Sequence, residues 1–182
     1  MSYKILRNIE IDIMDPRSID RAIAEIQHLK QSLQEAMDQL VRDLAMTEGV
    51  TIARTQIAAM DAVDTGMLMN SVYGEYRDGI GYVCAMANNG LGQNYAVYVE
   101  FGTGPVGQAS PHELAGEIGW EYDVGETIYD DPERGRGWWF YSRHDHQWKF
   151  TQGQPARPFM YNTLEILREV ASERGKQMLF QM

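Results

Sequence analysis

The segment NYAVYVEFGTG, Asn94 to Gly104, runs through eight mostly apolar, β-prone residues into a threonine bracketed by glycines. It admits three readings: a phosphate-cradling loop, the end of a buried strand, or a packing element without chemistry. The first fails on residue type. FGTG has neither the Lys-Ser/Thr pair of a Walker loop nor the third glycine of a dinucleotide fingerprint. Pro105 follows at once, and no long helix begins there to point its N–H groups at a phosphate. On these residues alone, a strand end and a packing element stay open.

Upstream, IEIDI (Ile9 to Ile13) alternates apolar and acidic residues and predicts a half-buried strand. DPRS stops it: Pro16 suits a first helical turn, and Asp15 or Ser18 suits the cap. Ile19, Ile23, Ile26, Leu33, Met37, Leu40 and Leu44 then recur by threes and fours, with Leu29 or Lys30 in the gap. That spacing predicts a helix from about Arg17 to about Thr47 with a near-heptad seam. Gly49 weakens or kinks it, while Val50, Ile52, Ala53 and Ile57 continue the apolar pattern. Roughly 30 helical residues reach about 45 Å, against a diameter of about 40 Å for a compact chain of this size. The helix therefore spans or overhangs its domain, and its apolar stripe either lies along a sheet or meets a neighbouring subunit.

DTGMLMNSV predicts a short helix capped by Asp64 or Thr65, with Met67, Leu68 and Val72 turned inward. VYGEYRDGIGYVCAMAN predicts a hairpin turning at Asp78-Gly79, and NNGLGQ a loop. From Pro105 to about Arg136 the chain is acidic, glycine-rich and weakly patterned, and reads as an insertion or ordered loop with one short helix in PHELAGEIGWEY. GWWFYS and QWKFTQG flank RHDH and predict a second hairpin, rich in aromatics. Pro158 opens a C-terminal helix in which Phe159, Met160, Leu164, Leu167 and Val170 or Ala171 recur at helical spacing. The expected organisation is one domain over 1–182 with an acidic, loop-rich insertion at about 105–136.

The 182 residues include 26 acidic and 16 basic side chains, for a formal net charge of −10. That balance disfavours phosphate-driven nucleic-acid binding, which needs basic patches to displace counterions. No apolar run approaches the roughly 18 residues of a membrane span. Acidic residues interrupt the apolar core that a signal peptide would need in MSYKILRNIEIDIMD, so synthesis in the cytosol is expected. Cys84 is the single cysteine, which excludes an intramolecular disulfide and a cysteine-rich zinc site.

Candidates for chemistry are few. DTG, Asp64 to Gly66, matches the short aspartic-protease signature, but that chemistry needs two aspartates sharing a proton and only one copy is present. HDH, His144 to His146, offers two imidazoles; His112 and His28 stand apart without an i, i+4 partner, so a solvated turn is the better reading than a metal site. Cys84 sits mid-strand in YVCAM and reads as a core thiol. Trp138, Trp139, Trp148 and Tyr141, flanked by Arg134, Arg136, Arg143 and Lys149, suit core or subunit packing, and less well a surface stacking nucleobases or sugars. Two alternatives stand beside a structural role: a metal- or aspartate-dependent hydrolase at Asp64 or His144/His146, and a single-stranded nucleic-acid binder at the tryptophan hairpin. No catalytic residue, metal or cofactor is expected.

The order of the segments is more telling than any one of them. Thr65, Gly66, Leu68 and Ser71 fit a TG-L--S pattern; Tyr95, Ala96, Tyr98, Val99, Glu100, Gly102 and Thr103 fit YA-YVE-GT; Pro158, Phe159 and Leu164 fit P-PF--PAL, with Pro155 one position further upstream than its first proline. In this order the chain resembles the neck and tail-completion family of long-tailed bacteriophages, the minor tail components that join head and tail. Asn162 and Thr163 depart from the family's usual Pro-Ala. The resemblance implies an α+β fold, with a small antiparallel β-sheet packed by a long N-terminal helix and a C-terminal helix. It implies a virion structural protein assembled in the host cytoplasm, without catalysis and without a membrane. Its partners would be copies of itself in a ring of roughly six or twelve subunits, the head-completion or connector protein, and the tail-tube or tail-terminator protein. Double-stranded DNA would pass through the channel unbound, its phosphates repelled by an acidic wall. The overhanging first helix and the acidic insertion are the expected interfaces. Glu100 and Thr103 are assigned to local structure, the carboxylate accepting backbone hydrogen bonds. Under the resemblance NYAVYVEF becomes a short helix with Ala96, Val99 and Phe101 toward the core, which the chain leaves sharply through Gly102 and Gly104.

Overall fold

The computed structural model describes residues 11–12, 14–62, 66–88, 92, 94–123, 129–142 and 145–181. The fold is α+β, with long helices toward both ends and small antiparallel sheets between them. The chain gathers into two compact units, each built from segments far apart in sequence. The first comprises the described residues up to Thr51, Tyr73–Val83 and those from Leu164 on; the second comprises the described residues of Ile52–Val72 and Cys84–Thr163.

Helix α1 (Pro16–Asp43) begins where its signals place it: Asp15 accepts the Arg17 amide at 3.0 Å and Pro16 occupies the first helical turn. Ile9, Glu10 and Ile13 of the expected opening strand lie outside the described residues, and Ile11 and Asp12 belong to no strand. Asp12 serves the helix entry instead, its side chain accepting from the Met14 amide (2.9 Å) and its carbonyl from Ser18 Oγ (2.7 Å). The α-helix leaves ideal geometry over Leu44–Gly49, a π-helical turn, and resumes as α2 (Val50–Ala59). Gly49 thus closes a widened turn rather than a simple kink.

Against this turn lies the hairpin of β1 (Val72–Arg77) and β2 (Ile80–Ala85), whose turn residues Asp78 (φ 54°) and Gly79 (φ 82°) are both left-handed, as a two-residue turn of this hand requires. A Cβ on Gly74 would strike the Ala45 carbonyl and lie 2.5 Å from Met46 Cα; one on Gly81 would lie 2.7 Å from Ala45 Cβ. Helix and hairpin therefore meet backbone to backbone. Arg42 lies 4.1 Å over the Tyr76 ring, and burial together with the neighbouring Asp38 pushes the Tyr76 hydroxyl above its ordinary pKa. The part of α7 (Phe159–Gln181) beyond Leu164 completes this unit, with Arg174 paired to Glu48. Among the described residues of this unit, the buried side chains of Ser18, Ala22 and Ala45 are small. Ile19, Ile23, Ile26, Leu29 and Met37, which the seam would press against a sheet, remain about half exposed.

The larger core belongs to the second unit, where Ala53, Ile57, Leu68, Val72, Ala87, Ala96, Val99, Ala115 and Phe159 are buried. Helix α3 (Met67–Asn70) starts after Gly66, which is left-handed (φ 77°); its expected caps, Asp64 and Thr65, lie outside the described residues. Leu68 takes the inward direction and Met67, expected inward, is half exposed, because so short a helix has one inward position. The segment 105–136 is more regular than its composition suggests. It holds most of α5 (Gly104–Ala109), all of α6 (Ala115–Ile118) and β3 (Tyr129–Asp131), and the start of β4 (Gly135–Ser142). With β5 (Gln147–Thr151) these strands form an antiparallel sheet of order β3-β4-β5. In α7, Leu164 is exposed and Thr163 is buried in its stead, its Oγ1 satisfied by the Phe159 carbonyl at 2.6 Å. Among the described residues no helix is long and apolar enough to cross a membrane.

Candidate functional site

Asn94 fixes the start of α4 (Ala96–Phe101): its Oδ1 accepts the Ala96 amide at 3.1 Å and its Nδ2 donates to the Ala85 carbonyl at 3.0 Å. The Tyr95 amide donates to the Ala87 carbonyl at 2.8 Å. The segment is thus helical, with Ala96 and Val99 buried and Phe101 half-buried. Glu100, on the turn facing inward, is buried as well.

Its carboxylate meets the first turn of α7. Oε2 accepts the Met160 amide and Oε1 the Tyr161 amide, both at 2.9 Å. These are donors that a helix leaves unsatisfied at its start, where its dipole also favours an anion. Oε1 lies 3.2 Å from Nε2 of His112, whose Nδ1 accepts the Leu114 amide at 3.0 Å; Nε2 therefore carries the proton and donates to Glu100. His112, expected to stand apart, is buried between Glu100, the Phe101 ring (4.4 Å) and the Tyr161 ring (5.4 Å). Glu100 does accept backbone hydrogen bonds as expected, but from amides 60 and 61 positions away instead of the adjacent glycine turns.

Thr103 joins the same two segments by main chain. Its amide donates to the Gln154 carbonyl at 2.9 Å, and its carbonyl accepts the Gln154 amide in return at 3.1 Å. Gly102 (φ 77°) lets the backbones close up, since a Cβ there would sit 2.6 Å from the Ala156 nitrogen and 3.0 Å from the Pro155 carbonyl carbon. Gln154 Nε2 donates to the Tyr98 carbonyl at 3.1 Å, and Trp120 Nε1 to the Gly102 carbonyl at 3.1 Å, with its ring 5.8 Å from that of Tyr98. The Arg157 amide donates to the Val99 carbonyl at 2.9 Å, while its guanidinium reaches the Met60 carbonyl (3.2 Å) and Gln154 Oε1 (3.0 Å). The Pro158 carbonyl accepts the Asn162 amide at 2.9 Å, and Phe159 is fully buried. Leu68 and Ser71 lie in the same unit, Ser71 Oγ donating to the Leu68 carbonyl at 2.8 Å. Thr65 lies outside the described residues. Both carboxylate oxygens of Glu100 and both ring nitrogens of His112 are engaged, so the arrangement ties segments together.

The other candidates are dispersed. Asp64 and His144 lie outside the described residues. Asp145 and His146 form the β4–β5 turn, where hydrogen bonds from Lys149 and Ser142 hold the Asp145 carboxyl down at about 2. Among the described residues no three His, Cys, Asp or Glu side chains gather to hold a metal ion. Cys84 is half-buried. Of the aromatics expected in core or subunit packing, Trp138 is half-buried while Trp139, Tyr141 and Trp148, with Phe140, are exposed rather than in a core, because β4 and β5 alternate aromatics onto both faces of a narrow sheet.

No protein-family model, curated protein or solved structure matches the chain.

Proposed function

We propose that the protein is a virion structural component of the phage head–tail joint, in which copies close a ring between head connector and tail tube and DNA passes through. The observation that carries this reading is the pairing of Glu100 with the Met160 and Tyr161 amides. It makes one packed kernel of two segments, YAVYVEFGT and PARPF, whose order carries the family resemblance. The first unit supports the assembly role. Its long helix keeps Ile19, Ile23 and Ile26 half exposed above a small-residue interior, a surface that a neighbouring subunit would cover. The net charge of −10 suits a channel wall that lets phosphates slide past.

Mass spectrometry and imaging of purified particles test this. The expected result is the protein present in virions with density at the neck, and unjoined heads and tails when its gene is disrupted. Its absence from particles, together with normally joined particles in the disruptant, overturns the reading.

A further inference from the structure

The exposed stripe of α1 has a register that a second copy of the same helix completes. Ile19, Ile23, Ile26, Lys30, Leu33 and Met37 alternate steps of four and three, a heptad seam whose period matches another helix. Its N-terminal part is open: Ile19 and Ile23 are each 49% exposed, Ile26 is 54% exposed, and Lys30 is exposed. On the adjoining side of the helix Ser18 and Ala22 are buried, so the seam runs beside a face already filled. Lys30 is the one charge on the seam, and Asp20 stands exposed on its flank. Neither has an ion-pair partner among the described residues.

That lysine decides the occupant. A wholly apolar partner would bury its ammonium unpaired, which is costly. A parallel second copy would set Lys30 against Lys30, because like heptad positions meet across a parallel pair. An antiparallel second copy does neither. With a two-fold axis midway between Ile23 and Ile26, Ile23 faces the second copy's Ile26, and Ile26 faces its Ile23. Lys30 then lies over the second copy's Ile19. The second copy's Asp20 falls on the same flank, within about 2 Å of Lys30 along the helix axis at about 1.5 Å per residue. The axis repeats every contact, so an isoleucine core is closed at both ends by a Lys30–Asp20 pair.

We infer that α1 pairs antiparallel with α1 of a second copy of this chain, from Ile19 to Lys30 and about a two-fold axis. The inference goes beyond the head–tail reading: a two-fold contact uses the same patch on both copies, whereas a head-to-tail ring uses two different ones.

Oxidative cross-linking in a Cys84→Ser background tests it. Ile19→Cys and Lys30→Cys chains, mixed, are expected to join by a disulfide between positions 19 and 30. Each variant alone should not join, because its two cysteines would stand about 17 Å apart along the axis. In sedimentation, Lys30→Asp and Asp20→Lys should each weaken self-association about tenfold, and the double variant should restore it. Circular dichroism checks that every variant folds. A disulfide joining two Ile19→Cys chains overturns the inference in favour of a parallel pair. Absence of the mixed disulfide, or equal association across the charge variants, overturns it outright. So does a wild type that stays monomeric at the highest concentration it reaches. None of these outcomes depends on whether the protein is found in particles, so the head–tail reading is judged apart.

Discussion

Glu100 Oε2 accepts the Met160 amide at 2.9 Å across 60 positions of chain, so one buried carboxylate both ends the business of α4 and starts α7. Removing it would strand two helix-start amides and the His112 Nε2–H in a buried setting. Glu100→Ala is expected to cost about 3 kcal/mol of stability, because each buried donor loses a charged acceptor. Glu100→Gln falls between, since its amide nitrogen faces donors. Urea unfolding measures both; a loss under about 1 kcal/mol for the alanine variant would show that the pairing is incidental.

Two glycines make opposite predictions under the same substitution. Gly74→Ala drives a methyl group into the Ala45 carbonyl and Met46 Cα of the π-helical turn, and is expected to cost about 3 kcal/mol. Gly175→Ala, within α7 and with nothing within 4 Å of its added Cβ, is expected to gain up to about 1 kcal/mol from helix propensity. Thermal unfolding of the two variants should move in opposite directions.

The turn between β4 and β5 is acid-sensitive. Asp145 titrates at about 2 in the folded chain, below its ordinary 3.8, because Lys149 and Ser142 bond its carboxylate. As pH falls the unfolded chain takes up this proton first. The stabilisation is therefore full above about pH 4 and lost as pH falls through about 2. Carboxyl titration by NMR should place the midpoint there, and Asp145→Asn should flatten the pH dependence of hairpin opening. A midpoint near the ordinary value would sever the carboxylate from its two partners.

Ile23→Glu separates folding from assembly. Ile23 is half exposed on α1, so the monomer's stability should change by no more than about 0.5 kcal/mol. Sedimentation should show fewer large assemblies, alone or with the connector. An unchanged distribution removes the α1 stripe from the subunit interface.

The sequence made the local parts legible. The Asp15-Pro16 entry to α1, the Asp78-Gly79 turn and the second hairpin each depend on neighbours within a few residues, which composition and period record. Segment order added the helical reading of α4, where β-prone residues alone left a strand open. The Glu100–His112 pairing was not legible, because residues 12 and 61 positions apart carry no periodic mark of meeting. The π-helical turn was hidden for a related reason: the hairpin glycines that lie against it come later in the chain. Aromatic content announced the strands of the second hairpin but not that Trp139 and Trp148 face outward, because it does not say which face another body will cover.

The contacts that close the second unit also set an order in time. Glu100 reaches forward to Met160, and Arg157 reaches back to the Met60 carbonyl across 97 positions. Such closures carry a large entropic cost before any contact rewards them and are slow to form. A chain emerging from the ribosome can wind α1 early, since helical contacts are local. The Met60 carbonyl and the Glu100 carboxylate must wait for their partners until Arg157 to Tyr161 have been synthesised. Closure of the second unit is therefore a late step of folding, one that follows the synthesis of the segment carrying Arg157, Met160 and Tyr161.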